Sequence, residues 1–106
     1  MIFNNGNGRI EGNYSSVDVI TPPVNGYNYD TALPYAPSTL TWSYLDAIPT
    51  NFYAANISGS QQLSNGNVLI CQGPSGKFFE VNPAGSTVWK YTNPVAQSGV
   101  LAQGAT

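Results

Sequence analysis

The sequence predicts an all-β fold of antiparallel four-stranded meanders, packed as blades of the propeller type. Short apolar runs are separated by glycine- and proline-containing turns, and helical patterning is almost absent. In addition, Trp42-Ser43-Tyr44 and Trp89-Lys90-Tyr91 repeat the W-x-Y pattern at a spacing of 47 residues. A period of roughly 40 to 50 residues with several strands per unit is typical of propeller blades. We therefore predict about two blades, an irregular one at 1–50 and a regular one at 51–106.

Three turns define the regular blade. Asn65-Gly66 predicts a two-residue type I′ hairpin, because both residues adopt positive φ at low cost. Gly73-Pro74-Ser75-Gly76 and Asn82-Pro83-Ala84-Gly85 each combine a proline for the second turn position with a glycine for the left-handed one. This combination predicts three-residue hairpin loops. The turns separate four runs of strand type, at 57–63, 67–72, 77–81 and 87–92.

Alternation in these runs predicts that the middle strands are buried on both faces. Residues 68–71 are apolar on both sides, and Phe79 faces away from its two neighbours in the third run. In the last run, Thr87, Trp89 and Tyr91 are expected to share one face. We interpret the strand aromatics as packing between blades, with a flat platform for a sugar ring as the alternative. Since two blades cannot close a propeller, other copies or the rest of a longer chain are expected to complete the packing.

The first half of the chain is less regular. Runs 9–20 and 39–44 resemble strands, whereas 21–37 is a proline- and tyrosine-rich excursion, and 46–55 holds at most one helical turn. Tyrosines in such interrupted segments suit interfaces, because they offer a large contact area with little rotamer entropy to lose. Contact with another chain or a glycan is therefore predicted for four of them, Tyr27, Tyr29, Tyr35 and Tyr53.

Composition narrows the functional classes. Only 8% of residues are charged, and the polar share is carried by Asn, Ser, Thr, Gln and Gly, which suits an extracellular or cell-surface β-protein. Arg9, Lys77 and Lys90 are widely separated in sequence, so we expect neither nucleic acid nor an anionic membrane as a partner. Membrane insertion is not expected, because no run approaches the roughly 18 apolar residues of a span. The first residues lack a signal-peptide pattern, so the chain is either not exported or an internal piece.

Two modification sites and one thiol complete the inventory of candidate residues. Asn13 and Asn56 each begin a tripeptide of the glycosylation acceptor pattern. Cys71 is the lone cysteine, which excludes an intrachain disulfide, and its apolar surroundings predict a small buried side chain.

A family resemblance rests on residues 57–94. The segments QQLSNGNVLI, GKFFEV and VWKYTNP resemble the blade repeat of bacterial arylsulfotransferase-like β-propeller proteins, and the similarity is looser before residue 57. The resemblance implies a propeller and a secreted protein. The enzymes of this family transfer a sulfuryl group between phenols through a histidine at the centre of the propeller. This sequence has no histidine, so the resemblance assigns no catalytic residue here.

No other chemistry emerges from the sequence. No two of its five carboxylates stand at a spacing that guarantees their proximity, and no calcium-loop pattern is present. We therefore predict no catalytic, cofactor-binding or metal-binding residue. The first functional hypothesis is a non-catalytic extracellular structural or recognition element that self-associates into a ring or filament. The alternative is a fragment of a secreted arylsulfotransferase-like enzyme whose catalytic histidine lies outside this chain.

Overall fold

The computed structural model describes residues 1–25, 28–29, 32 and 37–104. Its strands are β1 (Ile2–Asn4), β2 (Ser16–Val19), β3 (Val24–Asn25), β4 (Asn28–Tyr29), β5 (Trp42–Tyr44), β6 (Gly59–Gln62), β7 (Val68–Gln72), β8 (Lys77–Val81), β9 (Thr87–Thr92), β10 (Val95–Ala96) and β11 (Gly99–Val100). Two short 3₁₀ turns, Pro49–Asn51 and Gly73–Ser75, are the helical elements of the described ranges.

Every strand pairing in the described residues is antiparallel. The first sheet has the order β1-β2-β5, and the second is the four-stranded meander β6-β7-β8-β9. Two small hairpins, β3-β4 and β10-β11, accompany them. The predicted all-β class with a four-stranded antiparallel meander is thus confirmed. Each strand of the meander lies within two residues of its predicted bounds.

The first turn of the meander differs from the prediction. The Leu63 N–H donates to the Asn67 carbonyl at 2.7 Å, and the Gly66 N–H donates to the Leu63 carbonyl at 3.0 Å. The loop therefore has three residues, and Gly66 takes the left-handed conformation at φ +87° while Asn65 does not. Asn65 instead accepts the Asn67 N–H on its side-chain oxygen at 3.0 Å. The predicted two-residue type I′ turn is wrong, because the asparagine side chain caps the loop locally.

The other two turns have glycine in the predicted left-handed position, but only one of them has the predicted length. In the turn after β8, the Asn82 N–H donates to the Ser86 carbonyl at 2.9 Å, and Gly85 is left-handed at φ +84°. This is the expected three-residue loop. The turn after β7 is one residue longer than predicted, because Gln72 pairs with Lys77 and four residues lie between them.

The first half shows where the predicted strands were too long. Only Ser16–Val19 of the run 9–20 is a strand, since Gly12 at φ +127° interrupts extended backbone before it. The strand that pairs with it, Ile2–Asn4, showed no strand pattern in the sequence. Of the predicted run 39–44, only Trp42–Tyr44 is a strand. The expectation of at most one helical turn within 46–55 is confirmed, because the segment holds the 3₁₀ turn Pro49–Asn51.

The hydrophobic core lies between the two sheets. It joins side chains of the first sheet, of the second sheet and of the connecting segment, namely Val17, Tyr44, Phe52, Val68, Ile70 and Val81. Phe3, Trp42 and Phe79 are partly buried against this cluster. The second sheet therefore packs one of its faces against the first sheet, and its other face points outward.

Candidate functional site

Strand register identifies the face of the second sheet that points away from the core. Val68 pairs with Val81 and Ile70 pairs with Phe79, and these four side chains belong to or pack against the core. Side chains alternate along a strand, so their neighbours point outward. The resulting surface, which we name the outer aromatic face, consists of the apolar side chains Leu69, Cys71, Phe78, Trp89 and Tyr91 and of Glu80, which pairs with both Leu69 and Trp89.

The aromatic members of this face contact one another in the open. The Trp89 and Tyr91 rings are stacked, with centroids 6.3 Å apart and planes at 10°, and Phe78 lies 6.4 Å from Tyr91. Trp89 is 49% exposed and Tyr91 is 48% exposed. Cys71, expected as a buried side chain, is half-buried on this face. Contiguous exposed apolar surface of this kind marks a contact site more often than scattered apolar residues do.

A β-bulge shapes the edge of the outer aromatic face. Glu80 pairs with Trp89 and Val81 pairs with Thr87, so Val88 is the extra residue. The bulge turns Thr87 toward the core side. The prediction that Thr87 shares a face with Trp89 and Tyr91 is therefore wrong, whereas those two aromatic residues do share one.

Thr87 instead meets a buried tyrosine of the first sheet. Burial raises the pKa of Tyr44, and the nearby Asp46 carboxylate raises it further, while a side-chain hydrogen bond with Thr87 lowers it. Burial and the carboxylate outweigh the hydrogen bond. Tyr44 therefore stays neutral in the folded chain to higher pH than an exposed tyrosine.

The two W-x-Y motifs occupy corresponding positions in the two sheets. The Trp and Tyr side chains of both motifs point in the direction that leads from the first sheet to the second. Each lies on an edge strand, β5 in the first sheet and β9 in the second. Trp42 and Tyr44 face the second sheet, where the Trp42 indole N–H donates to the Pro83 carbonyl at 2.9 Å and Tyr44 is 5% exposed. Trp89 and Tyr91 face away from the first sheet. The second motif thus presents openly the kind of surface that the first motif buries.

The outward face of the first sheet is polar. Asp18 accepts hydrogen bonds from Ser16 at 3.0 Å and from Ser43 at 2.7 Å. The Arg9 guanidinium donates to the Ser16 hydroxyl at 2.9 Å and lies 4.5 Å from the Tyr14 ring centroid. These groups satisfy one another on the surface, so the two outward faces of the molecule differ in chemistry.

The predicted interface tyrosines are only partly covered by the structure. Tyr27 and Tyr35 lie outside the described residues, and for Tyr29 only the backbone of β4 is described. Tyr53 is half-buried, and its carbonyl accepts the Gln72 side-chain amide at 3.0 Å. Their contact with a partner stays a prediction.

The two candidate glycosylation residues are exposed. Asn13 and Asn56 both lie on the surface, as an acceptor site requires. The residue after Asn56 has an unusual backbone, because Ile57 adopts φ +43°. β-Branched residues rarely occupy this left-handed region.

Replacing Ile57 with glycine is expected to raise the free energy of unfolding by about 1 kcal/mol. The left-handed conformation is unfavourable for isoleucine by roughly 1–2 kcal/mol, part of which the greater flexibility of unfolded glycine offsets. The Ile57 side chain is 78% exposed, so little packing is lost. Ile48→Gly is the control, because Ile48 is also exposed but has an ordinary φ of −112°. Urea unfolding of both variants should show a gain for the first and a loss for the second; two equal losses would contradict the argument.

The described residues contain no cluster that could serve as a metal centre. Within 1–25, 28–29, 32 and 37–104, no three His, Cys, Asp or Glu side chains come together to hold an ion. The same ranges contain no helix long and apolar enough to span a bilayer. Comparison with protein-family models, curated proteins and solved structures finds no match to this chain. The resemblance to arylsulfotransferase-like proteins accordingly stays a prediction.

Proposed function

We propose that this chain is a non-catalytic, extracellular β-repeat element of the propeller type that self-associates through its outer aromatic face. One observation supports this most directly: Trp42 and Tyr44 of the first sheet are covered by the second sheet, whereas Trp89 and Tyr91 of the second are open. The first W-x-Y motif is thus covered by a neighbouring sheet, and the second presents the same kind of surface without such a cover. The low charge content supports the extracellular location.

The size of the face sets the expected strength of association. Four strands about 4.8 Å apart and about 17 Å long give a footprint of roughly 330 Å². A standard interface buries about 800 Å² on each partner. Association of separate copies is therefore expected to be weak and dependent on concentration, with a Kd in the micromolar range or above.

The difference between the two outward faces bears on the symmetry of the assembly. In a head-to-tail ring or filament, the outer aromatic face of one copy would meet the polar face of the next. Contact there would desolvate Arg9 and Asp18, which is unfavourable, and the one charged group that the outer aromatic face offers them is Glu80, which already accepts the Asn67 side-chain amide at 2.7 Å. A two-fold contact instead places aromatic face on aromatic face, and the charged group it desolvates on each copy is Glu80, which keeps its Asn67 partner. This supports a closed pair over the ring or filament expected from the sequence.

The double variant Trp89→Thr/Tyr91→Thr is expected to abolish self-association. Threonine keeps the strand preference while removing both exposed rings. Sedimentation velocity over a concentration series should show the natural chain shifting toward dimer and the variant remaining monomeric. Val88→Thr is the control, since Val88 is exposed on the same strand but outside the face. A natural chain that stays monomeric at its highest soluble concentration would contradict the proposal.

The second hypothesis, a fragment of a secreted arylsulfotransferase-like enzyme, is favoured by the common direction of the two W-x-Y motifs. In a longer chain, a further sheet would cover the outer aromatic face as the second sheet covers Trp42 and Tyr44. The catalytic histidine would then lie in other blades. This hypothesis predicts that a chain extended by its flanking sequence is monomeric and transfers sulfuryl groups between phenols. An extended chain that lacks this activity would contradict it.

A further inference from the structure

A second surface lies on the core side of the second sheet, and Phe78 and Tyr91 of the outer aromatic face also border it. A cleft of about 730 Å³ opens between β8, β9, the segment that follows β5 and residues 101–104. Ligand sites in proteins typically measure roughly 300–1,000 Å³. The cleft is thus large enough for a molecule the size of a small oligosaccharide.

Two of the three basic residues of the chain line this cleft. They are Lys77 and Lys90. Because Lys77 pairs with Thr92 and Phe79 pairs with Lys90, the two lysines occupy diagonal positions on the same face of the sheet. Within the described residues, neither ammonium group has a hydrogen-bond or ion-pair partner. The hairpin therefore concentrates two free positive charges in a chain whose net charge is −2.

Among the described residues, Asp46 is the one carboxylate that lines the cleft, and it comes from the segment after β5 rather than from the sheet that carries the lysines. This carboxylate already accepts the Ile48 backbone N–H at 2.9 Å. The strands β8 and β9 thus supply positive charge to the cleft, and the segment after β5 supplies negative charge. A ligand with one anionic end and a hydroxyl-rich opposite end matches this polarity, because hydroxyl groups can donate to the carboxylate.

The remaining lining groups narrow the chemistry of the ligand. Side-chain amides and hydroxyls come from Asn93, Gln103 and Thr92, and apolar ring surface comes from Phe79 and Pro94. Amides and hydroxyls match the hydroxyl groups of a sugar, and aromatic and aliphatic rings match its apolar face. We propose that this cleft binds an acidic saccharide, with its anionic group at Lys77 and Lys90.

Cellobiouronic acid and cellobiose provide a matched pair of probes, since they differ in a single carboxylate. Nuclear magnetic resonance titration at low salt should show the acid binding tighter than the neutral sugar by about 2- to 30-fold, the range of two exposed ion pairs. Added salt should reduce this preference. Chemical-shift changes should map to the cleft residues. Equal affinities, no binding of either sugar, or changes confined to Leu69, Cys71 and Trp89, which lie outside the cleft, would overturn the proposal.

Charge variants test the lysines directly. Lys77→Gln and Lys90→Gln should each weaken binding of the acid about two- to fivefold and leave binding of cellobiose unchanged. Ser64→Glu is the matched control, because it lowers the net charge by the same amount at an exposed turn outside the cleft. An equal loss in the control would mean that net charge alone decides affinity and would overturn the assignment.

This inference is independent of the proposed self-association. Phe78 and Tyr91 border both surfaces, whereas Trp89 does not line the cleft. Trp89→Thr should therefore weaken self-association and retain binding of the acid. Loss of saccharide selectivity in the lysine variants with unchanged sedimentation would separate the two surfaces. Loss of acid binding in Trp89→Thr would contradict the assignment to the cleft.

Discussion

The Phe52→Ala variant is expected to lose about 3 to 5 kcal/mol of the free energy of unfolding, the usual range for truncating a buried phenylalanine. Phe52 is 2% exposed. Its ring centroid lies 5.6 Å from that of Phe3, 5.6 Å from that of Tyr44 and 5.4 Å from that of Phe79. These rings belong to different sheets, so removing Phe52 leaves a cavity where the sheets meet.

The expected loss is large in relation to the total stability of a chain this small. Domains of ordinary size are stable by about 5–15 kcal/mol, and the Phe52 variant should therefore lie close to its unfolding threshold at room temperature. Tyr53→Ala is the control, because Tyr53 is the next residue, is also aromatic and is only half-buried. Its carbonyl bond to Gln72 does not depend on its side chain. Urea unfolding followed by tryptophan fluorescence should show a markedly smaller loss for the control; equal losses would mean that Phe52 does not join the sheets.

Phe52 also matters for both candidate surfaces. Its neighbours Tyr44 and Phe79 line the cleft, and Phe79 lies on β8, whose opposite side forms part of the outer aromatic face. The ring thus fixes the sheet that separates the two surfaces. Partial loss of the core should weaken saccharide binding and self-association together, unlike the surface variants described above.

The second sheet could be predicted from sequence because its determinants are local. Each of its turns joins strands adjacent in sequence, and turn residues together with alternation define such a meander. The first sheet is different. β1 and β2 pair across a glycine-rich loop, and β2 and β5 pair although the residues between them include another hairpin. Three-residue strands such as Ile2–Asn4 are too short to show a period.

The candidate surfaces could likewise be predicted only where they depend on sequence that is local to one strand. Alternation predicted that Trp89 and Tyr91 share a face, whereas the bulge at Val88 shifted Thr87 to the other side. A bulge depends on how two strands pair and leaves no clear mark in the sequence of one strand. Lys77 and Lys90 looked widely separated in sequence, but the hairpin β8-β9 brings them to diagonal positions on one face. Charge clustering in a sheet follows register more than sequence distance.

Gly6→Ala is expected to destabilise the chain by more than about 3 kcal/mol, because backbone strain and steric overlap act together. Gly6 is buried and left-handed at φ +73°. A Cβ atom there would overlap the carbonyl oxygen of Tyr14, which is a backbone atom and cannot move freely. The same carbonyl accepts the Arg9 Nε–H at 3.1 Å, so displacing it would also disturb the polar face of the first sheet.

Gly8→Ala separates the two contributions to this loss. Gly8 is also left-handed, at φ +83°, but no atom lies within 4 Å of the position its Cβ would take. The Gly8 variant should therefore lose only the conformational term, about 1 kcal/mol. The difference between the two midpoints of urea unfolding then measures the overlap with Tyr14. Equal losses would mean that the loop relaxes away from the carbonyl, and the close approach of Gly6 to Tyr14 would then contribute little to holding the polar face in place.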